Sequence, residues 1–204
     1  MKNKKNCKQE FDKKYYTTGG YKEYLKWFDE EGLEYADGLI KFFKPKKSWK
    51  FLDVGCGMGG VVLALRKKGF LAWGTEISAF CLEKSPIKKW LKKGNILSLP
   101  FKDKSFDVVL AMDMLFYLSK SQQKKALLEL HRIAKRFLFL ETICLGSANS
   151  SQKSNPDALR RQSYLFTKKQ MLALLQKSGF ELVGPLFTEK DNVIDFCNIF
   201  KAVG

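Results

Sequence analysis

Asp53 stands two residues ahead of Gly55-x-Gly57-x-x-Gly60 in the stretch "FLDVGCGMGG". An apolar run that breaks into glycines lets a ligand lie directly against the backbone, because no Cβ intervenes. The spacing satisfies the dinucleotide fingerprint, which alone is a weak sign. Asp53 changes the chemistry on offer. A pyrophosphate at a helix N-terminus needs positive potential, and a carboxylate beside it repels it. The same carboxylate suits a ligand bearing an ammonium and a sulfonium. Glu76 closes a second apolar run, "FLAWGTEI". A carboxylate placed there accepts hydrogen bonds from both hydroxyls of a ribose. Asp113 lies between apolar neighbours in "LAMDMLF"; a turn cap and an active-site acid are both open to it.

The elements that must hold these residues follow from periodicity. "WKFLDVG", "FLAWGTEI", a weak "LKKGNIL", "FDVVLAM" and "FLFLETI" read as strands. Helical patterns alternate with them. "GGVVLALRKKG" stops at Gly69. "SAFCLEKSPIKKW" opens at Ser78 and is disturbed by Pro86. "SKSQQKKALLELHRIAKR" is amphipathic. "TKKQMLALLQKSGF" is capped by Thr167 and stopped at Gly179. "FELVGPLF" and "NVIDFCNIFKAV" close the chain as two strands able to pair antiparallel. Such alternation predicts a parallel α/β sheet covered on both faces, with ligands at the carboxyl ends of its strands. Ahead of the first strand, Tyr21, Tyr24, Leu25 and Phe28 have helical spacing, and a second helical pattern runs to Phe43, before Pro45. Residues 1–14 are basic and read as a flexible terminus, 15–47 as a helical cap, and 48–204 as the main domain. The polar segment between residues 145 and 164 is long for a compact domain, and such loops are usually functional or disordered.

Composition narrows the classes. The 204 residues, 45% of them hydrophobic, suit one globular domain. No apolar run is long enough to span a membrane, and the N-terminus lacks the apolar core of a secretory signal. The five cysteines form no C-x-x-C, and His131 is the single histidine, so reduced thiols, a cytoplasmic setting and no metal site are expected. Cys56 reads as a small residue in the glycine turn, and His131 as structural. The net charge of +16 is carried almost wholly by lysines spread along the chain. Attraction to nucleic acid and simple compositional bias both fit it.

"FLDVGCGMGG" resembles the first motif of class I methyltransferases that use S-adenosylmethionine. "GTEIS", "GNILSLPFKDKSFDVVLAMDMLFYL" and "YLFTKKQMLALLQKSGFELVG" resemble later segments of that family, in order, so that the resemblance covers residues 48–204. It implies a Rossmann-like fold: a seven-stranded, mostly parallel sheet with an antiparallel last strand and helices on both faces. It also implies an S-adenosylmethionine cofactor, with S-adenosylhomocysteine as product. Carried over, Gly55 and Gly57 let the cofactor lie on the backbone and Asp53 orders its amino end. Glu76 binds the ribose, and Ile77 packs on the adenine. Asn95 bonds the adenine amino group with the Ile96 backbone nearby; the family more often has Asp at this position. The Met112 carbonyl meets the ammonium. Phe116 and Tyr117 replace a frequent Glu-His pair, which leaves the catalytic role open. Asp113 and Tyr117 are the catalytic candidates. Tyr16, Phe116, Arg160 and Tyr164 are the candidates for the acceptor pocket, with Tyr16 able to act as a lid.

The expected reaction is in-line methyl transfer to a small-molecule acceptor, by a monomer or homodimer. "MDMLFYL" is not the N/D-P-P-Y/F motif of one amino-group branch of the family. The alternatives are an RNA or other macromolecular acceptor, a nicotinamide-dependent oxidoreductase, which Asp53 opposes, and a non-catalytic cofactor-binding subunit.

Overall fold

A computed structural model describes residues 11–18, 22–145, 164–185 and 196–204. The strands are β1 (Lys50–Val54), β2 (Leu71–Glu76), β3 (Leu91–Lys93), β4 (Phe106–Met112), β5 (Ala134–Glu141), β6 (Phe180–Pro185) and β7 (Cys197–Ala202). They form one sheet in the order β3-β2-β1-β4-β5-β7-β6. Strands β1 to β5 pair in parallel, and β7 runs antiparallel to both β5 and β6. This is the expected seven-stranded sheet with its antiparallel last strand.

Alternate side chains of the inner strands point to opposite faces, as the pleat requires. Phe51, Val108, Leu110 and Phe139 face one layer, with Ala36 and Leu39 of α2 (Tyr24–Phe43) and Val62 and Leu65 of α3 (Gly60–Lys67). Leu52, Val109, Leu138 and Leu140 face the other, with Leu127 and Leu130 of α5 (Lys120–Ile133) and Met171 and Leu175 of α6 (Lys168–Lys177). Burial on both faces explains why β4 and β5 read as continuous apolar runs. The short α4 (Ala79–Lys84) starts at Ser78, whose hydroxyl accepts from the Cys81 amide, and ends before Pro86. Ser119 with Gln122, and Thr167 with Gln170, form reciprocal capping boxes that start α5 and α6.

Three local expectations are corrected. The stretch before β1 is a single helix, α2, which passes straight through Gly32 and Gly38. Lys13 and Lys14, placed in the flexible terminus, belong to α1 (Lys13–Thr17), which Asp12 caps through its side chain. Ala134–Arg136, read as the end of a helix, begin β5: Ala134 pairs with Phe106, and Arg136 Nε donates to Asp107 Oδ1 at 2.9 Å. Among the described residues no helix is long and apolar enough to cross a membrane.

Candidate active site

The turn after β1 is built by left-handed backbone. Gly55 has φ +80° and Gly57 φ +53°, values that cost other residues strain. The Gly55 and Cys56 amides both donate to the Thr75 carbonyl, which ties the turn to β2. The Gly57 amide donates to Glu76 Oε2 at 2.9 Å, and the Ser78 amide to Oε1 at 2.7 Å. Glu76 is buried, and burial raises its pKa against the lowering effect of these amides. Asp53 is 3% exposed and its Oδ1 has no hydrogen-bond partner among the described residues. Burial, and then the Glu76 charge, push the Asp53 carboxyl up to about 7. An unsatisfied carboxylate oxygen facing a cavity is a site for a cation or a hydrogen-bond donor.

The helix α2 lies across this turn. Tyr24 Oη accepts from the Met58 amide at 3.2 Å, and a Cβ on Gly57 would collide with that hydroxyl. Gly60 leaves no room for a Cβ beneath the Phe28 carbonyl, nor does Gly32 against the Gly60 backbone. The third glycine of the motif is therefore spent on helix packing.

A cavity of about 300 Å³ opens over the carboxyl ends of the central strands. Asp53, Gly55, Gly57, Glu76, Ile77, Asn95, Ile96 and Met112, predicted from sequence, all line it. So do the candidates Tyr16, Asp113 and Tyr117. Asn95 Oδ1 accepts from the Leu97 amide at 3.0 Å, so the Asn95 side chain also shapes its own turn. Phe116 and Tyr164 are not on the cavity wall. Phe116 is buried beneath it, its carbonyl accepts from the Tyr164 amide, and Gln123 Nε2 donates to the Tyr164 carbonyl. Neither residue lines the cavity among the described residues. Arg160 lies outside the described residues.

Asp113 does not cap the following turn, which has no side-chain cap. It holds a left-handed φ of +48°, rare for a non-glycine residue, directly after β4. Its amide donates to the Glu141 carbonyl, and burial pushes its carboxyl up to about 6. Glu141, buried at the end of β5, takes the Tyr35 hydroxyl at 2.8 and 2.7 Å from its two oxygens. Burial first, and then Asp113, raise it to about 8. Glu31 is exposed at the cavity rim; the surrounding protein first, and then Asp113 and Glu34, raise it to about 7.

Sequence reasoning missed Glu31, Tyr35 and Glu141. A signal existed: Tyr24, Phe28, Glu31 and Tyr35 recur at helical spacing on one face, and Glu141 is a charge inside an apolar strand. Aromatic rings cover the cavity. Phe11 packs edge-on against Tyr15 and Tyr117, and the Tyr15 and Tyr117 hydroxyls lie 3.4 Å apart. Tyr16 stacks on Phe80 and packs against Tyr24.

Cys56 is buried with its thiol held protonated by burial and by Asp53 and Glu76. Its Sγ occupies the space a Cβ on Gly74 would need, so its small size is what the turn uses. His131 contacts the Val203 carbonyl at 3.0 Å and meets Phe180 edge-on, away from the cavity.

A family model described as a methyltransferase domain matches residues 52–137. An uncharacterised protein of Methanocaldococcus jannaschii is 30% identical over 87% of this chain and 72% of its own length. Botryococcene C-methyltransferase of Botryococcus braunii is 25% identical over 65% of the chain, which spans 37% of that enzyme. The magnesium protoporphyrin IX methyltransferase of Synechocystis, solved with bound SAH, superposes with a TM-score of 0.63 at 17% identity, over 88% of this chain and 87% of that one. The chain belongs to the class I S-adenosylmethionine-dependent methyltransferases, and is an enzyme that takes S-adenosylmethionine as its cofactor.

Proposed function

We propose that this enzyme methylates a small molecule that enters the roofed cavity beside the cofactor. The observation that carries the reading is the roof. Phe11, Tyr15 and Tyr16 from the N-terminal segment, Tyr24 and Trp27 from α2, and Tyr117 after β4 close over the strand ends. An acceptor must fit beneath them.

The residues present fit the cofactor. The orphaned Asp53 Oδ1 offers a buried carboxylate oxygen to its ammonium, and the open backbone at Gly55 gives it a surface to lie on. Asp53 would orient the amino end together with the Met112 carbonyl. Glu76, whose oxygens keep lone pairs beyond the Gly57, Ile77 and Ser78 amides, would take the ribose hydroxyls. Ile77, Asn95 and Ile96 would frame the adenine. Bound there, S-adenosylmethionine supplies an activated methyl on a positively charged sulfur.

The protein's share of the chemistry is alignment. Holding the acceptor atom in line with the methyl and the sulfur converts a bimolecular encounter into a positioned one. A base is needed only for an acceptor protonated at working pH, and Asp113, on the cavity wall, is the candidate for that task.

The net charge of +16 favours a second reading, an RNA acceptor. The cavity opposes it, because Glu31, Asp53, Glu76 and Asp113 on its wall repel a phosphate backbone. Methyl transfer from labelled S-adenosylmethionine to fractionated metabolites and to RNA tests the choice. Label in the metabolite fraction is expected; label confined to RNA sinks the small-molecule reading.

A further inference from the structure

Along the strand ends, the residues assigned to the cofactor occupy the tips of β3, β2 and β1, with Met112 at the tip of β4. The opposite end of the cavity, past β4, is built from a different set. Asp113 follows β4, and Glu31 and Tyr35 descend from α2. Glu141 lies behind them at the tip of β5, bonded to Tyr35. The sign of this end is opposite to that of the chain. Of 37 lysines and arginines in the sequence, none is on the cavity wall among the described residues. An anionic acceptor would meet carboxylates with no cation to compensate them.

Two further observations point to a positively charged ligand. No hydrogen bond or ion pair of the Asp113 side chain occurs among the described residues, although it lines the cavity. Trp27, Tyr35 and Tyr117 also line the cavity, and aromatic rings attract cations when one sits over their faces.

We infer that the acceptor is an amine, cationic in solution and carried on an apolar body, whose nitrogen binds between Asp113 and Glu31. This rests on the small-molecule methyltransferase reading. An ammonium has no lone pair, so it first yields one proton to the Asp113 carboxylate. The freed lone pair of nitrogen then forms the bond to the methyl carbon. The methyl–sulfur bond breaks with its electron pair left on sulfur, which becomes a neutral thioether. The methylated nitrogen leaves as an ammonium, and Asp113 returns its proton to water. Burial suits Asp113 to the task by raising it toward neutrality.

The test uses the full chain saturated with S-adenosylhomocysteine and titrated calorimetrically with phenethylamine, phenethyl alcohol and phenylacetate. The amine is expected to bind at least about tenfold more tightly than the alcohol, and the acid most weakly. Glu31→Gln and Asp113→Asn should each reduce amine affinity by about tenfold while S-adenosylhomocysteine affinity changes less than about threefold. Asparagine tolerates the left-handed backbone at position 113, so the second variant keeps the turn. Alcohol or acid binding as tightly as the amine, or no preference because none binds, overturns the proposal. So does loss of S-adenosylhomocysteine affinity in either variant, which would give these carboxylates to the cofactor. Failure of wild-type enzyme to bind S-adenosylhomocysteine would instead strike the methyltransferase reading itself.

Discussion

The Gly57 amide donates to Glu76 Oε2 at 2.9 Å, so the residue proposed to hold the ribose also fixes the turn proposed to hold the rest of the cofactor. The two acts are coupled through one carboxylate. A hydrogen bond to a charged group contributes about 1.5–3 kcal/mol. Glu76→Ala should therefore weaken S-adenosylhomocysteine binding by more than about tenfold, and Glu76→Gln by less, because the amide oxygen still accepts one backbone bond. Calorimetry on both variants checks the order; equal losses would separate the turn from the carboxylate.

Gly32 and Gly60 let α2 and α3 pack backbone against backbone. A Cβ at Gly32 meets backbone, not a side chain that swings away. Gly32→Ala must push the helices apart, at a cost of about 1–3 kcal/mol typical of overpacking. Chemical denaturation should show that loss, and cofactor affinity should fall as well, since α2 roofs the site. Wild-type stability in the variant would mean the two helices separate without cost.

Stability without cofactor should fall as pH rises through neutrality. Asp53, Asp113 and Glu141 are raised to about 7, 6 and 8, each chiefly by burial. Ordinary carboxyl values lie near ~4, so the folded chain holds these protons after the unfolded chain has released them. The stability they carry is full below about pH 4 and is lost as pH climbs through each folded value. Glu141 faces Tyr35, Cys197, Asp113 and Glu31, none of which is cationic. Melting temperature should drop between about pH 6 and 8, and Glu141→Gln should flatten the drop. A rise over that interval would contradict the burial of these groups as acids.

Turnover of a small acceptor should be nearly insensitive to salt. Nucleic-acid binding that releases several counterions weakens by orders of magnitude between about 50 and 200 mM salt. Initial rates across that range separate the two acceptor classes, and a steep loss would favour the polyanion.

Much of the fold was written locally. The strands of the sheet end in glycine, acid or turn residues, and the caps at Ser78, Ser119 and Thr167 mark where helices begin. The β1 turn with Asp53 and Glu76 was legible because its residues lie close in sequence and its glycines are chemically distinctive. Of the acidic end of the cavity, Asp113 was legible and Glu31 and Glu141 were not. Glu141 meets Asp113 because β4 and β5 are neighbours in the sheet, and Glu31 joins them because α2 lies over the strand ends. The packing role of Gly60 was not legible either: it lines the cavity, and the place a Cβ would take there is held by the Phe28 carbonyl. Phe116 and Tyr164 share the neighbourhood of the site, but burial turned Phe116 inward, and a long chain segment precedes Tyr164.

The central claim is that the buried carboxylate of Asp53, whose Oδ1 has no partner among the described residues, selects a cationic adenosyl cofactor over a pyrophosphate-bearing one. Calorimetric titration of wild-type enzyme and Asp53→Asn with S-adenosylhomocysteine, and of wild type with NADH, tests it directly. The account predicts one equivalent of S-adenosylhomocysteine bound by wild type, at least about tenfold weaker binding by Asp53→Asn, and no NADH binding. NADH binding in place of S-adenosylhomocysteine, or equal affinity in the two proteins, would contradict it.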